Sequence, residues 1–89
     1  MNAEQREVFR DLVLRAFKNA RGCGLSLVTL EITLRNCGFN RVEAEEMEAE
    51  VRYFMDKGFV AEVVKSHSVG NRIWRITASG VDDLERRGL

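Results

Sequence analysis

Residues 54–64 read Phe54-Met55-Asp56-Lys57-Gly58-Phe59-Val60-Ala61-Glu62-Val63-Val64, and the apolar period changes in the middle of that run. Up to Lys57 the pattern continues a stripe of Ala44, Met47, Val51, Phe54 and Met55, the steps of one buried helix face. Gly58 ends the helix, as glycine does past a last helical turn. Beyond it, β-branched and aromatic residues crowd together, which is strand composition. A second such run is Arg72-Ile73-Trp74-Arg75-Ile76-Thr77. Between them Lys65-Ser66-His67-Ser68-Val69-Gly70-Asn71 ends in turn residues. Residues 59–77 are therefore predicted to form a β-hairpin with a loop longer than the tight two-residue kind.

Upstream of this run the period is helical. Val8, Phe9, Leu12, Val13, Ala16, Phe17 and Ala20 predict an amphipathic first helix over residues 4–20, with Arg6, Arg10, Asp11, Arg15 and Lys18 on its other side. Arg21-Gly22-Cys23-Gly24 stops it. Ser26 is a good N-cap for a second helix reaching about Asn36, with Leu27, Leu30 and Leu34 inward. Thr29, Ile32 and Thr33 are β-branched, so propensity alone leaves a strand open there. Asn40-Arg41-Val42-Glu43 has the spacing of a capping box for the third helix. Downstream, Thr77 or Ser79 caps a last helix, with Val81 and Leu84 inward and Gly88 at its end. The inward periods converge on a shared core of Met47, Val51, Phe54, Val60, Trp74 and Ile76.

Composition bounds the function. The chain has 89 residues, 14 Lys+Arg, 14 Asp+Glu, one His, two Cys and no Pro. That length is expected to make one domain spanning 1–89, without room for a deep catalytic cleft. A net charge of zero excludes coating nucleic acid by bulk attraction. No apolar stretch approaches the ~20 residues of a membrane span, and the charged start Met1-Asn2-Ala3-Glu4-Gln5-Arg6-Glu7 is unlike a signal peptide. Cys23 and Cys37 make no disulfide framework and lack zinc-ligand spacing. Two reduced, partly buried thiols in a cytoplasmic protein are expected.

The order helix, helix, helix, hairpin, helix, with a short connection before the third helix, resembles the winged-helix superfamily. Phe54-Met55-Asp56-Lys57-Gly58-Phe59-Val60 is similar to that family's passage from third helix into first wing strand. Trp74-Arg75-Ile76-Thr77-Ala78-Ser79-Gly80 is similar to its second wing strand leading into a C-terminal helix. The chain also resembles small winged-helix-like proteins of Mu-like prophages. The resemblance covers residues 5–85 and implies an α+β winged helix with its wing at about 59–77. It further implies duplex-DNA binding with the third helix in the major groove, although many functions share the fold.

Segment charge tests that implication. Residues 41–57 carry Arg41, Arg52 and Lys57 against Glu43, Glu45, Glu46, Glu48, Glu50 and Asp56, a net of −3. Residues 58–78 carry Lys65, Arg72 and Arg75 against Glu62, a net of +2, and residues 1–21 also reach +2. The outward line of the third helix is expected near Arg41, Glu45, Glu48 and Arg52, as Arg41–Glu45 and Glu48–Arg52 pairs. Such a face is ordinarily just solvated, or else meets a basic protein through Glu45, Glu48 and Arg52. The wing is the better place for phosphate contact: Lys65, His67, Arg72 and Arg75 supply charge, with Ser66, Ser68 and Asn71 as neutral donors. Hairpins also carry Lys and Arg merely for solubility and edge protection.

No catalytic constellation emerges. His67 is the only histidine and lies in a loop, Gly22-x-Gly24 lacks a third glycine, and Met47, Met55 and Trp74 read as core. The sequence predicts a binding protein without enzymatic activity or cofactor. Two classes stay open: a small DNA-binding regulator, and an interaction or dimerisation module that keeps the fold without reading DNA. Phe9, Val13, Phe17, Val81 and Leu84 are hard to hide in so short a chain, which predicts that part of this surface is shared in a homodimer.

Overall fold

Local sequence signals set the element boundaries in the computed structural model, which describes residues 2–64 and 72–88. The elements run α1 (Ala3–Asn19), α2 (Leu27–Asn36), α3 (Ala44–Asp56), β1 (Val60–Val64), β2 (Ile73–Ile76) and α4 (Ala78–Arg86). Ser26 caps α2 by accepting from the Thr29 amide at 3.3 Å. The β-branched stretch is helical because its three leucines bury; once in the helix, Thr33 bonds its hydroxyl back to the Thr29 carbonyl at 2.9 Å. Thr77 caps α4: its hydroxyl accepts from the Gly80 amide at 3.2 Å and donates to the Gly58 carbonyl at 2.6 Å. That residue therefore joins the turn after α3 to the start of α4.

The hairpin is antiparallel, with Val60 opposite Ile76, Ala61 opposite Arg75 and Glu62 opposite Trp74. Its register shifts between Glu62 and Val64, and Val63 at that irregularity stands 49% exposed. Leu25, ahead of α2, adds an isolated bridge to Trp74, with amide–carbonyl bonds of 2.8 and 2.9 Å in the two directions. Gly24 makes that approach possible. It has φ 77°, and a Cβ there would lie 2.7 Å from the Trp74 carbonyl oxygen. The glycine read from sequence as a helix stop thus also docks the α1–α2 connection against β2.

One core joins Phe9, Val13, Leu14 and Phe17 of α1, Leu30 and Leu34 of α2, Met47, Val51 and Phe54 of α3, Val60, Trp74 and Leu84. The expected core holds, with Ile76 packed at its edge rather than fully inside. Several finer expectations are corrected. Val8 is 51% exposed while Leu14 is completely buried, because α1 packs against α2, β2 and α4 and its buried arc is displaced round the helix. Ala44 is exposed and Glu50 is buried. The expected capping box at Asn40 and Glu43 does not form. The N-cap of α3 is Glu43 itself, without a side-chain cap bond, and a capping box stands instead at Asn2 and Gln5 of α1. Cys23 and Cys37 are both exposed, not partly buried, since each sits in a turn beyond a helix end.

The packing also removes the stated reason for a homodimer. Phe9, Val13, Phe17 and Leu84 are at most 1% exposed within the single chain, and Val81 is half-buried.

Candidate nucleic-acid interface

The outer face of α3 and the base of the hairpin lie side by side, and carboxylates neutralise much of the charge between them. Arg52, with 71% of its side chain exposed, reaches back one turn to Glu48 at 3.4 Å. The expected Arg41–Glu45 pair is absent. Arg41 precedes the first turn of α3, so no helical i,i+4 geometry links them. Both residues are exposed.

Arg72 is drawn into the structure rather than left on its surface. Its Nε donates to Glu62 at 2.5 Å and its Nη2 to the other carboxylate oxygen at 3.1 Å. The guanidinium also stands 5.1 Å over the Trp74 ring. Strand alternation puts Arg72, Trp74 and Ile76 on one face of the hairpin, and Glu62 shares that face as the partner of Trp74. The Glu62 hydrogen bond holds the Arg72 guanidinium above the ordinary arginine range; burial opposes this, and the charges of Glu62 and Glu48 add to it. Glu48 of α3 therefore feels the wing base directly. Arg52 with Glu48 and Arg72 with Glu62 make two ion pairs, one on α3 and one at the wing base.

Arg75 turns the other way. Its Nε and Nη2 donate to the Arg21 carbonyl at 3.1 and 2.9 Å. The structure thus ties Arg52 to Glu48 and Arg72 to Glu62, and turns Arg75 away to the Arg21 carbonyl. Lys65 and His67, with Ser66, Ser68 and Asn71, lie outside the described residues. Sequence reasoning missed that Glu62 engages Arg72. The signal was a lone acid between the apolar residues of a strand, opposite the residue two places after an arginine.

On the opposite side of α3, Arg10 of α1 meets Glu50 at 2.9 Å and Tyr53 at 4.2 Å from the ring centroid. Arg87 holds both Asp11 and Asp83. Burial works against the Arg87 charge, but those two acids outweigh it and raise its pKa. Among the described residues no cluster of three His, Cys, Asp or Glu is placed to hold a metal ion, and no helix is long and apolar enough to cross a membrane.

No family model and no curated protein matches this chain, and nothing here bears on the likeness to prophage proteins. Among solved structures the chain is similar to the crystal structure of a PadR-like transcriptional regulator from Bacillus cereus. The superposition has a TM-score of 0.74 over 96% of this chain and 82% of that one, at 17% identity. The likeness is one of architecture: α2 and α3 form the helix-turn-helix pair, β1 and β2 the wing. The chain folds as an α+β winged helix.

Proposed function

We propose that the protein is a small DNA-binding regulator of bacterial or prophage type, acting in the cytoplasm by occupying duplex DNA rather than by catalysis. The observation that carries this reading is the α2–α3 pair followed directly by a wing, the arrangement that presents one helix to a major groove. In this reading α3 supplies little of the affinity, because Glu45, Glu46 and Glu48 face the same phosphates. The positive surface comes from the wing and α1. Arg72 contributes by fixing the wing base through Glu62 and Trp74, and phosphate contact falls to Arg41, Arg52, Arg75, Lys65 and His67.

The direct test is titration of mixed-sequence duplex into the full chain at low salt, where surface charge is least screened, followed by selection from a random-sequence pool. Saturable binding, with affinity falling steeply as salt rises, supports the reading. No binding in either experiment rejects it. A second reading rests on the acids of α3: Glu45, Glu48 and Arg52 would then meet a basic protein. Retention of a lysine-rich protein by the wild-type chain, lost on Glu45→Gln/Glu48→Gln, would favour it.

A further inference from the structure

Cations that no carboxylate holds gather at the far end of α1. Residues 12–30 carry Arg15, Lys18 and Arg21 and not one Asp or Glu. Arg15 and Arg21 are exposed and Lys18 is half-buried. None of the three has an ion pair among the described residues. This separates them from Arg10, Arg35, Arg52, Arg72, Arg86 and Arg87, each of which faces an acid.

Arg75 joins the group from β2. Both of its donating nitrogens are on the Arg21 carbonyl, and its stem crosses Gly24, where a Cβ would stand 2.8 Å from Arg75 Cγ. A carbonyl is a neutral acceptor. It fixes the Arg75 guanidinium beside the turn without cancelling its charge, and the remaining N–H groups stay available. The chain then passes through Leu25 into α2, whose first turn contains no acid. The free N–H groups of that turn add positive potential to the same neighbourhood.

We propose that Arg15, Lys18, Arg21 and Arg75 form a contact surface for the phosphate backbone of duplex DNA, separate from α3. The proposal rests on the regulator reading and specifies where its electrostatic affinity resides. Two observations favour DNA over an acidic protein. Three of the four groups are arginines, whose planar forks match phosphate oxygens in pairs. Arg15 and Lys18 also lie one turn apart on α1, and Arg21 follows in the turn beyond the helix end, its amide on the Lys18 carbonyl at 3.3 Å. The three charges thus succeed one another along the surface as phosphates do along a strand. An α3 bearing exposed glutamates cannot supply this term, so the duplex must find it elsewhere on the surface.

The test is fluorescence anisotropy of a labelled mixed-sequence duplex against the full chain over a range of salt, comparing wild type with Arg15→Ala/Lys18→Ala/Arg21→Ala. The substituted side chains lie outside the core and Arg21→Ala retains its carbonyl, so circular dichroism should match wild type. The triple variant is expected to bind at least about tenfold more weakly at low salt, with the slope of log affinity against log salt shallower by about two to three. Arg86→Ala, on an exposed cation outside the group, should leave both unchanged. A folded triple variant with wild-type affinity and slope overturns the proposal while the regulator reading stands. A wild-type chain that binds no duplex removes both, and the first titration alone shows which has failed. If labelled polyglutamate binds wild type as tightly as duplex and loses that binding in the triple variant, the surface belongs to acidic polypeptides and the proposal is overturned.

Discussion

Arg10 lies across Glu50: its Nε donates at 2.9 Å to a carboxylate on a residue only 6% exposed. The same guanidinium packs 4.2 Å over Tyr53, so one side chain fastens α1 to α3 by charge and by ring contact. Replacing Arg10 with Ala strands a buried carboxylate, and the expected loss is about 2 kcal/mol, below the full penalty for a deeply buried pair because Arg10 is partly solvated. Glu50→Met, of similar volume and uncharged, should cost less than Arg10→Ala despite removing the same pair. Urea unfolding of both variants decides the order.

Gly80 of α4 packs closely against Phe59 and β2. A Cβ there would come within 2.4 Å of the Phe59 carbonyl oxygen and 2.7 Å of Ile76 Cγ1. Since the first obstacle is backbone, Gly80→Ala should destabilise by about 1–3 kcal/mol, lowering Tm by roughly 5–15 °C in a domain of this size. Gly22 has nothing within 4 Å of its would-be Cβ. Gly22→Ala should be neutral, or stabilising by about 0.5 kcal/mol through the unfolded chain. Thermal scans of the two variants should move in different directions or by very different amounts.

Trp74 is 2% exposed, and its Nε1 has no hydrogen-bond partner among the described residues. Truncation to Ala should cost about 3–5 kcal/mol, enough to unfold most of the chain. Trp74→Phe keeps most of the packing and removes an unsatisfied donor, so its cost should be much smaller, about 1 kcal/mol. Equal losses from the two substitutions in chemical unfolding would show that the indole ring is not held as described.

Glu45 and Glu48 should oppose any duplex brought to α3. Glu45→Gln/Glu48→Gln is expected to tighten mixed-sequence duplex binding several-fold at low salt, with the gain shrinking as salt screens it. The second substitution also frees Arg52 from its 3.4 Å pair. Anisotropy titrations at two salt concentrations read both effects.

Much of the fold was legible because its signals are local. Ser26 and Thr77 have the hydroxyl a helix start requires, Gly58 has the freedom a helix end requires, and the change of period between Phe54 and Val64 falls where helix gives way to strand. The misses are tertiary. Glu50 looks like one more acid on a charged helix until Arg10, forty positions upstream, is laid against it. Leu14 and Val8 exchange roles because neighbours on several sides widen the buried arc beyond a single stripe. The candidate interface was less legible still. Arg72 and Arg75 look equivalent in sequence, yet strand alternation sends one to Glu62 and the other to Arg21.

The bridge between Leu25 and Trp74 also governs the order of events during synthesis. The first three helices are synthesised before β2, and until Trp74 is made Leu25 has no backbone partner at the edge it will occupy. The indole that fills the centre of the core arrives with the same strand. A nascent chain ending before residue 73 therefore exposes Phe9, Val13 and Phe17 around a missing centre, a state prone to association rather than folding. The N-terminal helices therefore gain their native packing only once β2 is made, and folding is expected in one cooperative step.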